Sequence, residues 1–600
     1  MINQTKVQEL VHKLEEGGWV KKVKFAVIVS AIIFNINLWF FRDAGFKGLS
    51  HEKGIEQAQI AREISRGNGF TTKMIRPAAL WLFEKNMGKF PADTQPDIFH
   101  APLNPYINAA AFIAADTVDG WLRKAQKTAE IFSWFTHDRL MSTKELVYTY
   151  DKIIAAVQVL FYLLAVLISY YTARRLFDDR LAAFAGCMML ICQRFWEYAM
   201  SGLPQMLMLF LFSAAVHTLV RAIEAKYLSK PALGWLSATA GLFGLLALTH
   251  GITIWMFVGA LIFVALFFRP LGRDAAVMAV IFMAIYTPWL VRNQQVCGTP
   301  VGLGWYSGLS GLRGSESKIM RSLDVSLQGV SPRTFRAKVQ SQVIDQIGSL
   351  TELLGKSLMA PIFFVSLLHL FKRPETSHFR WAIFLMWLFA VFGMAVFGMP
   401  EGGGLRANDL HILFVPMMIC YGLAFVLVMW TRLEINIKLV RLAFLSALFF
   451  LSSMPFINDA IQMMAGPQSQ IQWPPYVPPY IAIMRNWTTE KEVITTDMPW
   501  AVAWYADRRS LWLPMSVQDF VTLNDYKLLN GAIVGLYLTP VTGNKAFIAD
   551  IVKGEYSEWA PFILRNITTR DFPLKVSTVM PVDNECIFYA DRDRWTERED

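Results

Sequence analysis

Three carboxylates stand close together early in the chain, at Asp43, Glu52 and Glu56. A carboxylate can take a proton from an attacking group, orient that group, or hold a metal ion. Two cations, Lys73 and Arg76, follow them along the sequence, and arginine suits bidentate binding of phosphate. These residue types would suit acid–base chemistry next to a bound anion, although Glu52 and Glu56 would equally suit the solvated face of a helix.

Other familiar kinds of site are not indicated. Gly402, Gly403 and Gly404 are flanked by Glu401 and do not open a helix with the phosphate-loop pattern. The spacing of the cysteines and histidines does not suggest a zinc site. The sequence therefore predicts no resident metal, and a divalent cation held by acidic residues is the one cofactor that it leaves open.

The composition indicates a membrane protein. Of the 600 residues, 54% are hydrophobic and only 17% are charged, whereas roughly 25% are charged in ordinary soluble proteins. The hydrophobic residues are clustered into long runs, which excludes a disordered chain, a disulfide scaffold and a soluble multidomain enzyme. Of the five cysteines, Cys187, Cys192 and Cys420 fall in apolar runs, whereas Cys297 and Cys586 lie outside them and either pair or stay free.

Eleven apolar runs are candidates for membrane-spanning helices, since a span needs about 20 mostly apolar residues. One long run is divided at the sequence Thr249 to Ile252. The chain is therefore expected to be a polytopic α-helical membrane protein. The predicted spans are 24–41, 151–172, 181–199, 204–220, 232–249, 251–268, 275–291, 356–371, 379–398, 409–430 and 439–456.

Lysine and arginine residues cluster on one side of these spans. They precede the first span and fill the loops after the even-numbered spans, whereas the short loops on the other side hold only Arg406. Because basic residues mark the cytoplasmic side, the N-terminus is predicted to be cytoplasmic and the C-terminus outside. The net charge of +10 is then a topology signal and not a sign of nucleic-acid binding. Arg406 needs a functional explanation, unless it is an interfacial arginine that reaches for lipid headgroups.

Three extramembrane regions lie on the outer side by this count, at 42–150, 292–355 and 457–600. The predicted organisation is an amphipathic N-terminal segment at 1–23, a transmembrane domain at 24–456 and an outer C-terminal domain at 457–600. Large regions on a single side, without an internal repeat, favour an enzyme over a channel or a transporter.

The first outer region is predicted to carry helices that lie on the membrane surface. Residues 53–66 have an apolar stripe with charges opposite, and two glycines directly after them end that helix. A short helix at 77–86 follows, and the apolar stretch from Tyr106 to Ala115 is too short to span a membrane. In the second outer region, residues 305–320 are the expected lid of a site.

Motifs along nearly the whole chain resemble one family. In order, they are KGIEQAQIAREISRGNGF, PLNPY, ARRLFDDRLAAFAG, GLFGLLALTHG, TPWLVRNQQVCGTPVG and TTDMPWAVAWYADRRSLWLP. Together they resemble the polyprenyl-phosphate-dependent glycosyltransferases of the GT-C fold, nearest the protein O-mannosyltransferase and aminoarabinose-transferase branch. The resemblance implies a GT-C-like domain of about eleven transmembrane helices, with interfacial helices in the first outer region and a small mixed α/β C-terminal outer domain.

The resemblance also implies roles for particular residues. The base for the acceptor would be a carboxylate of the first outer region, with Glu56 preferred, then Glu52 and then Asp43. The residues expected to hold the leaving phosphate, or otherwise to contact donor or acceptor, are Lys73, Arg76, His100, Asn104, Arg292 and Arg406. This chain departs from the family at one position: relatives place an acidic residue eight positions before the alanine that corresponds to Ala61, and here that residue is Lys53.

The expected function is transfer of a sugar from a polyprenyl-phosphate donor to a lipid, glycan or protein acceptor, at the outer face of the bacterial inner membrane. Stabilising the charge that develops on the leaving phosphate supplies much of such catalysis. The alternative, motivated by Lys53, is a non-catalytic GT-C-like scaffold subunit of a larger membrane complex. The expected partners are the donor, its acceptor, membrane lipids and, for a scaffold, other subunits of that complex.

Overall fold

The computed structural model describes most of the chain after residue 45. The described ranges are 46–88, 95–126, 139–142, 145–325, 330–399, 404–434, 437–465, 478–525, 531–539, 553–564, 572–579 and 586–596, with isolated positions at 29, 32, 33, 36 and 529. The predicted N-terminal segment 1–23, most of the span predicted at 24–41, and the candidate base Asp43 lie outside the described residues.

Helices form most of the described chain. The first outer region contains α1 (Glu52–Ser65), α2 (Pro77–Met87) and α3 (Leu103–Gln126). Next come α4 (Thr149–Leu176), α5 (Asp179–Leu190), α6 (Gln193–Ser201), α7 (Gln205–Tyr227), α8 (Leu233–Thr249), α9 (Ile254–Phe267) and α10 (Arg273–Cys297). They are followed by α11 (Glu316–Met320), α12 (Pro332–Gly348), α13 (Leu350–Leu353), α14 (Ile362–Ser366), α15 (Pro374–Phe397), α16 (His411–Arg432) and α17 (Lys438–Ala465). The C-terminal region contains α18 (Pro478–Trp487), α19 (Pro499–Ala501), α20 (Val517–Asp525) and α21 (Ala560–Ile563).

Five helices in the described part of the chain are long and apolar enough to cross a membrane, namely α4, α7, α10, α15 and α16. The helices α8 and α9 and residues 443–458 of α17 are apolar but shorter. α7 packs between α4 and α8, and α15 packs against α9. These helices coincide with most of the predicted spans, and the break predicted at Thr249 to Ile252 separates α8 from α9. The chain is thus a multi-pass α-helical membrane protein.

The span predicted at 181–199 is not a single helix. It is divided into α5 and α6 after Leu190, whose carbonyl accepts a hydrogen bond from the Trp196 indole nitrogen at 2.9 Å. α6 also carries Arg194, which forms an ion pair at 3.1 Å with Glu352 of the second outer region. The average hydropathy of the run does not reveal this polar face, which turns α6 toward the outer regions.

The span predicted at 356–371 is also wrong. The helix found there, α14, has five residues, and Pro361 disfavours helical geometry at the residue before it. The backbone of Met359 lies so close to α16 that a Cβ on Gly422 would clash with its carbonyl oxygen. Non-helical backbone is tolerated in a membrane protein where it is buried against protein. This apolar run therefore packs as core, and the predicted number of eleven spans is not confirmed.

A six-stranded mixed sheet forms the centre of the C-terminal region, as expected for a small α/β domain. The strands within the described ranges are β1 (Thr71–Thr72), β2 (Met74–Ile75), β3 (Gln95–Pro96), β4 (Val493–Thr496), β5 (Arg509–Trp512), β6 (Ile533–Leu538), β7 (Val576–Val579) and β8 (Ile587–Ala590). β1 pairs with β3, and the sheet has the order β2-β5-β4-β6-β8-β7. β2, β5, β4 and β6 run parallel, and β8 is antiparallel to both of its neighbours. β4 and β6 are buried along their whole length, which accounts for their β-branched and apolar composition.

The first outer region completes that sheet. Its strand β2 pairs with β5 in parallel, with Met74 opposite Ser510 and Ile75 opposite Leu511. Buried residues of both regions also share one hydrophobic cluster, which includes Ile55 of α1 and Trp504. The C-terminal region therefore packs directly onto the segment that carries the candidate carboxylates.

α1 confirms the helix predicted at 53–66 to within a residue at each end. The His51 side chain caps its N-terminus, and Gly67 follows its C-terminus with a positive φ, as a left-handed helix ending requires. The alternative in which its charged side is a solvated face is wrong for Glu56, which is buried together with Glu63. The C-terminal region covers that side of the helix.

The other two helices of the first outer region differ in how well they were predicted. α2 confirms the helix predicted at 77–86. α3 is longer than the apolar stretch from Tyr106 to Ala115, because its helical pattern continues through polar residues to Gln126. Apolar side chains on its outer side, including Ile113 and Trp121, are exposed, as expected of a helix that lies at a membrane surface.

None of the five cysteines forms a disulfide. Cys297 and Cys586, for which pairing was left open, form no disulfide, and both are buried, as are Cys192 and Cys420; Cys187 is partly exposed. Buried thiols pack as small hydrophobic groups and become accessible on unfolding. A thiol-reactive fluorophore therefore reports the melting of this protein.

Gly54 lies where α1 meets the turn before α7. A Cβ at this position would lie 2.5 Å from the Ser201 carbonyl oxygen and 2.7 Å from the Gly202 carbonyl carbon. We expect Gly54→Ala to lower the free energy of unfolding by about 1–3 kcal/mol, because the overpacked contact forces the backbone to shift. The matched control is Gly120→Ala in α3, where no atom lies within 4 Å of the added Cβ. The control should stabilise the helix by about 0.5–1 kcal/mol, and equal melting temperatures for the two variants would contradict the close approach at Gly54.

Candidate active site

Two cavities adjoin each other between the outer regions and the helical body. The larger, the apolar cavity, has a volume of about 390 Å³ and lies mainly among apolar helices. The smaller, the charged cavity, has a volume of about 180 Å³ and lies between α1, α11 and the C-terminal region. Lys53, Phe99 and Glu316 line both, and we call these three side chains the junction.

The apolar cavity is lined chiefly by aromatic and aliphatic side chains. They include Trp255, Tyr286, Trp289, Leu290, Trp305 and Phe397. Polar side chains, among them Gln57 and His100, are the minority. Such a cavity suits a long hydrocarbon chain, whose burial contributes about 0.8 kcal/mol per CH₂ group.

The charged cavity brings together three distant parts of the chain. Its lining consists of Glu52, Lys53, Glu56, Arg76 and Phe99 from the first outer region, Glu316, Ser317 and Met320 from the second, and Trp500, Trp512, Glu555 and Tyr556 from the C-terminal region. The C-terminal region thus closes the cavity over the carboxylates of α1. Three of the residues predicted from sequence, Glu52, Glu56 and Arg76, meet here.

Glu56 is held by two partners from the first outer region. Its Oε2 accepts a hydrogen bond from Arg76 Nη2 at 2.5 Å and lies 2.7 Å from His100 Nε2. Burial raises the pKa of Glu56, but the charge of Arg76 and the hydrogen bond with His100 outweigh burial and lower this pKa to about 2. An ionised carboxylate with two such partners is a weak base. Glu56 is therefore better suited to orienting Arg76 and His100 than to accepting a proton.

Glu52 is the more available carboxylate. Its side chain lines the charged cavity and forms no ion pair or hydrogen bond with the residues that the structure describes. Desolvation by the surrounding protein, together with the negative charge of Glu56, raises the pKa of Glu52 to about 7. A general base works best when its pKa is near the ambient pH, so Glu52 fits that role better than Glu56.

Replacing Glu56 with glutamine is expected to lower the free energy of unfolding by about 1.5–3 kcal/mol, the usual worth of a hydrogen bond to a charged group. Glutamine keeps the shape of the side chain, but the buried Arg76 loses its nearer charged partner and keeps only the longer contact with Asp97, at 3.8 Å, among the described residues. Thermal melting followed with a thiol-reactive fluorophore measures the change. Glu84→Gln, on the exposed side of α2, is the matched control and should stay within about 0.5 kcal/mol of wild type. A Glu56→Gln variant that melts like the control would contradict this assignment.

Glu316 was missed by sequence reasoning. Its two carboxylate oxygens lie 2.9 and 2.8 Å from Lys53 Nζ, and Ser307 Oγ donates a hydrogen bond to one of them at 3.1 Å. Lys53 and Glu316 are 263 positions apart, and no spacing rule connects them. The one available signal was the position of Glu316 within the predicted lid at 305–320. Relatives are expected to carry an acidic residue at the position of Lys53. In this chain a carboxylate from another region, that of Glu316, lies beside Lys53 instead.

Lys73 takes part in an ion cluster that lines neither of the two cavities. Its Nζ lies 2.6 Å from Asp507 Oδ1, which also accepts hydrogen bonds from Arg62 at 3.1 Å and Arg66 at 3.0 Å. Burial raises the pKa of Asp507, but the three cations outweigh burial and hold this pKa below its usual range. The Asp507 cluster joins the first outer region to the C-terminal region. The predicted substrate contact of Lys73 stays a prediction that its position does not favour.

Arg292 and Asn104 also have partners within the protein. Arg292 Nη1 donates to the Asp97 carbonyl at 2.6 Å, and its guanidinium lies 4.8 Å from the centre of the Trp289 ring. Asn104 is fully buried and donates to Gln57 Oε1 at 2.7 Å. Neither Arg292 nor Asn104 lines the apolar cavity, but each contacts a residue that does, Trp289 and Gln57 respectively. Their roles in substrate binding stay predictions.

Arg406 lies next to the apolar cavity, which is lined by the two residues after it, Ala407 and Asn408. Its backbone carbonyl accepts hydrogen bonds from the Tyr198 hydroxyl at 3.2 Å and from Gln205 Nε2 at 3.4 Å. Within the described ranges its guanidinium forms no ion pair with a carboxylate. A guanidinium in such a position suits an anionic group, and phosphate binding by Arg406 stays a prediction.

No group of three or more histidine, cysteine, aspartate or glutamate side chains is arranged to hold a metal ion among the residues that the structure describes. In the charged cavity, Lys53 and Arg76 pair with Glu316 and Glu56. The divalent cation that the sequence leaves open stays a prediction.

Comparison with solved structures identifies the fold as that of the GT-C glycosyltransferases. No protein-family model matches the chain, and no curated protein matches its sequence. The chain is similar to an oligosaccharyltransferase of Archaeoglobus fulgidus in complex with zinc and sulfate, with a TM-score of 0.53 and 15% identity over 90% of this chain and 71% of that chain. It is also similar to ArnT from Cupriavidus metallidurans in the apo state, with a TM-score of 0.51 and 11% identity over 95% of this chain and 98% of that chain.

A third similar structure contains ligands. It is the archaeal oligosaccharyltransferase AglB from Archaeoglobus fulgidus in complex with an inhibitory peptide and a dolichol-phosphate, with a TM-score of 0.50 and 14% identity over 88% of this chain and 70% of that chain. At these identities the likeness establishes the fold, and the activity has to be argued from the site.

Proposed function

We propose that this protein is a membrane glycosyltransferase that moves a sugar from a polyprenyl phosphate to a lipid, glycan or protein acceptor. The observation that carries the proposal is the junction, where an apolar cavity among membrane helices meets a cavity lined by carboxylates and an arginine. A donor of this class has a part for each environment, a long hydrocarbon chain and an anionic head. AglB, whose structure contains a dolichol-phosphate, has the same fold, which supports this class of donor.

Glu52 is the proposed base. It lines the charged cavity without a partner among the described residues, and its raised pKa of about 7 leaves it able to take up a proton. This reverses the preference for Glu56 that the sequence suggested. Glu56 instead holds Arg76 and His100 in place. The Arg76 guanidinium lies 4.3 Å and the His100 ring 5.0 Å from the centre of the Phe99 ring at the junction.

The donor head would bind at the junction, with Arg76 and His100 on one side. Arg406, beside the apolar cavity, is the further candidate for the phosphate. Acceptor would enter through the charged cavity, between α1 and the C-terminal region. Positive charge beside the leaving phosphate stabilises the charge that develops there, which supplies much of the rate enhancement in such a reaction.

The proposal includes the arrangement in the membrane. The basic loops favour a cytoplasmic N-terminus and a C-terminal domain at 457–600 on the outer face of a bacterial inner membrane. The transmembrane domain would span 24–456, with the active site on the outer side. A site at that face suits a donor whose hydrocarbon chain stays in the bilayer.

The test is a transfer assay with the full chain reconstituted in lipid vesicles. Polyprenyl phosphates that carry a radiolabelled pentose, hexose or aminosugar are supplied with a membrane lipid extract or with peptides. The expected result is label in an acceptor, with release of free polyprenyl phosphate. The absence of transfer and of donor hydrolysis with every donor would overturn the enzyme proposal and favour the non-catalytic scaffold.

A further inference from the structure

Lys53 and Glu316 form an ion pair at the junction. Together with Phe99, they are the side chains that line both the apolar and the charged cavity in the described part of the chain. The ammonium group contacts both carboxylate oxygens, at 2.9 and 2.8 Å. The two side chains are 15% and 14% exposed, so the pair is largely shielded from water while still reaching both cavities. Any ligand that extends from one cavity into the other has to pass this pair.

Lys53 belongs to the rigid side of the junction. It lies in the first turn of α1, a helix of 14 residues that is buried over most of its length. The backbone around it is fixed, because His51 N donates to the Ser201 carbonyl at 3.2 Å and Gly54 packs directly on Ser201 and Gly202. The backbone from which the Lys53 side chain extends is therefore fixed by the first outer region and the turn before α7.

Glu316 belongs to a shorter element. It begins α11, which has five residues, and the turn before it contains Gly311 and Gly314, both with positive φ. Apart from Lys53, the partner of its carboxylate among the described residues is Ser307 Oγ. A hydroxyl group holds a carboxylate far less strongly than an ammonium group does. Of the two partners, Glu316 is the one that can leave with less disturbance of the surrounding structure.

We infer that Lys53 is a ligand of the donor phosphate and that Glu316 is its resting counterion, which the phosphate displaces. The inference rests on the proposed function for the identity of the anion, and it adds a phosphate ligand at the position where relatives are expected to carry an acid. Lysine binds phosphate as a compact point charge. A phosphate that enters from the apolar cavity meets Lys53 together with Phe99. Because the phosphate replaces the Glu316 carboxylate, the Lys53 ammonium group has an anionic partner before and after donor binding.

The exchange also serves the transfer step. The bond between the anomeric carbon and the phosphate oxygen breaks, and its electron pair stays on that oxygen. A bond forms between the anomeric carbon and the acceptor atom, whose proton passes to Glu52. The leaving polyprenyl phosphate thus gains negative charge, and Lys53 is placed to stabilise it.

The experiment measures equilibrium binding of a tritiated polyprenyl phosphate without a sugar to the full chain in lipid nanodiscs. The polyprenol of the same length, which lacks the phosphate, is the ligand control. Glu316→Gln removes the competing charge and is expected to tighten phosphate binding by about fivefold or more, as expected for two ligands in competition. Lys53→Gln is expected to weaken it by at least about tenfold. Affinity for the polyprenol should stay the same in both variants.

Two further variants distinguish exchange from a purely structural pair. Glu316→Asp keeps the charge on a shorter side chain and should show an intermediate tightening. The doubly exchanged variant Lys53→Glu with Glu316→Lys restores an ion pair, so it should melt near wild type but bind phosphate as weakly as Lys53→Gln. Lys85→Met and Glu352→Gln, a lysine and a glutamate that line neither cavity, are the matched controls.

The outcomes separate this inference from the proposed function. Phosphate affinity that is unchanged or weaker in both Glu316→Gln and Glu316→Asp would overturn the inference, even if transfer is observed. Wild-type phosphate affinity in the doubly exchanged variant would overturn it as well, because the pair would then act as a structural unit. The expected pattern of affinities without any transfer would support the inference as a binding site and overturn the proposed transfer.

Discussion

Replacing Glu52 with glutamine is expected to lower the rate of glycosyl transfer by about 10²–10⁴-fold, the usual contribution of a positioned general base. Glutamine has nearly the same shape but cannot accept the proton of the acceptor. The loss should appear in the rate at saturating donor and acceptor, and not in the affinity for the donor phosphate. Initial rates with purified protein in vesicles measure it, and Glu84→Gln on the exposed side of α2 is the matched control.

The pH dependence of wild type provides an independent check. Because the pKa of Glu52 is raised to about 7, the base is protonated and inactive below that pH. The rate should therefore rise with pH and level off above about pH 7. A rate that is flat between about pH 5.5 and 8 would contradict Glu52 as the base, as would a Glu52→Gln variant with the activity of the control.

The thermal stability of Glu52→Gln distinguishes loss of the general base from misfolding of the variant. The pKa of Glu52 in the folded protein, about 7, lies above its ordinary value of 4.5, so folding disfavours the charged form. Stability is then greatest below the ordinary pKa and falls as the pH rises through the folded pKa. Glu52→Gln removes this unfavourable charge. At pH 8 the inactive variant should melt at the wild-type temperature or above it.

Local patterns explain which parts of this fold could be predicted from the sequence. The helical stripe and the two glycines after residue 66 specify α1 to within a residue, because helix periodicity and a left-handed helix ending depend on neighbouring residues alone. The long apolar spans at α4, α7, α10, α15 and α16 were found for the same reason. Prediction failed at 181–199 and 356–371, where apolar character indicates burial and does not specify whether the buried backbone is helical.

The site is less predictable because it is assembled from distant segments. Glu52, Glu56 and Arg76 come from one region and were recognised together. Glu316 reaches the junction from the second outer region, and its chemistry depends on a contact with Lys53 that no local pattern encodes. The β2–β5 pairing has the same character, since two residues of the first outer region extend a sheet formed more than 400 positions later.

The sequence also does not predict which carboxylate side chain is left without a partner and can accept a proton. Glu52 and Glu56 are separated by one helical turn on the same helix, and residue type alone cannot rank them as bases. The structure gives Glu56 two strong partners and Glu52 none among the described residues. Their pKa values therefore move in opposite directions, to about 2 and about 7, which is the kind of division between neighbouring carboxylates that acid–base sites use.

Replacing Asp507 with asparagine is expected to lower the free energy of unfolding by about 3–5 kcal/mol, the usual cost of breaking a buried ion pair by removing one partner. Backbone strain does not contribute to this loss, because asparagine tolerates the left-handed conformation that Asp507 adopts. The cost arises because Arg62, which is 1% exposed, is left with its charge buried and uncompensated. Arg66 and Lys73 lose the same carboxylate.

The contribution of Asp507 to the free energy of unfolding depends on pH in the opposite way to the contribution of Glu52. The pKa of Asp507 is held below its usual range, so its contribution is fully present above the ordinary aspartate pKa and is lost only as the pH falls through the folded value. The difference in melting temperature between wild type and Asp507→Asn should therefore be constant between about pH 6 and 8. Asp345→Asn, on the exposed side of α12, is the matched control.

The consequence for function follows from the position of the Asp507 cluster. It joins α1 to the C-terminal region, which supplies Trp500, Trp512 and Tyr556 to the charged cavity. Once this connection is weakened, limited proteolysis should release the C-terminal region from Asp507→Asn at temperatures at which wild type and Asp345→Asn stay intact. Transfer should fall at those same temperatures, because the cavity that receives the acceptor loses one of its walls. Equal protease resistance in all three proteins would show that the sheet and its β2 strand hold the C-terminal region in place without the Asp507 cluster.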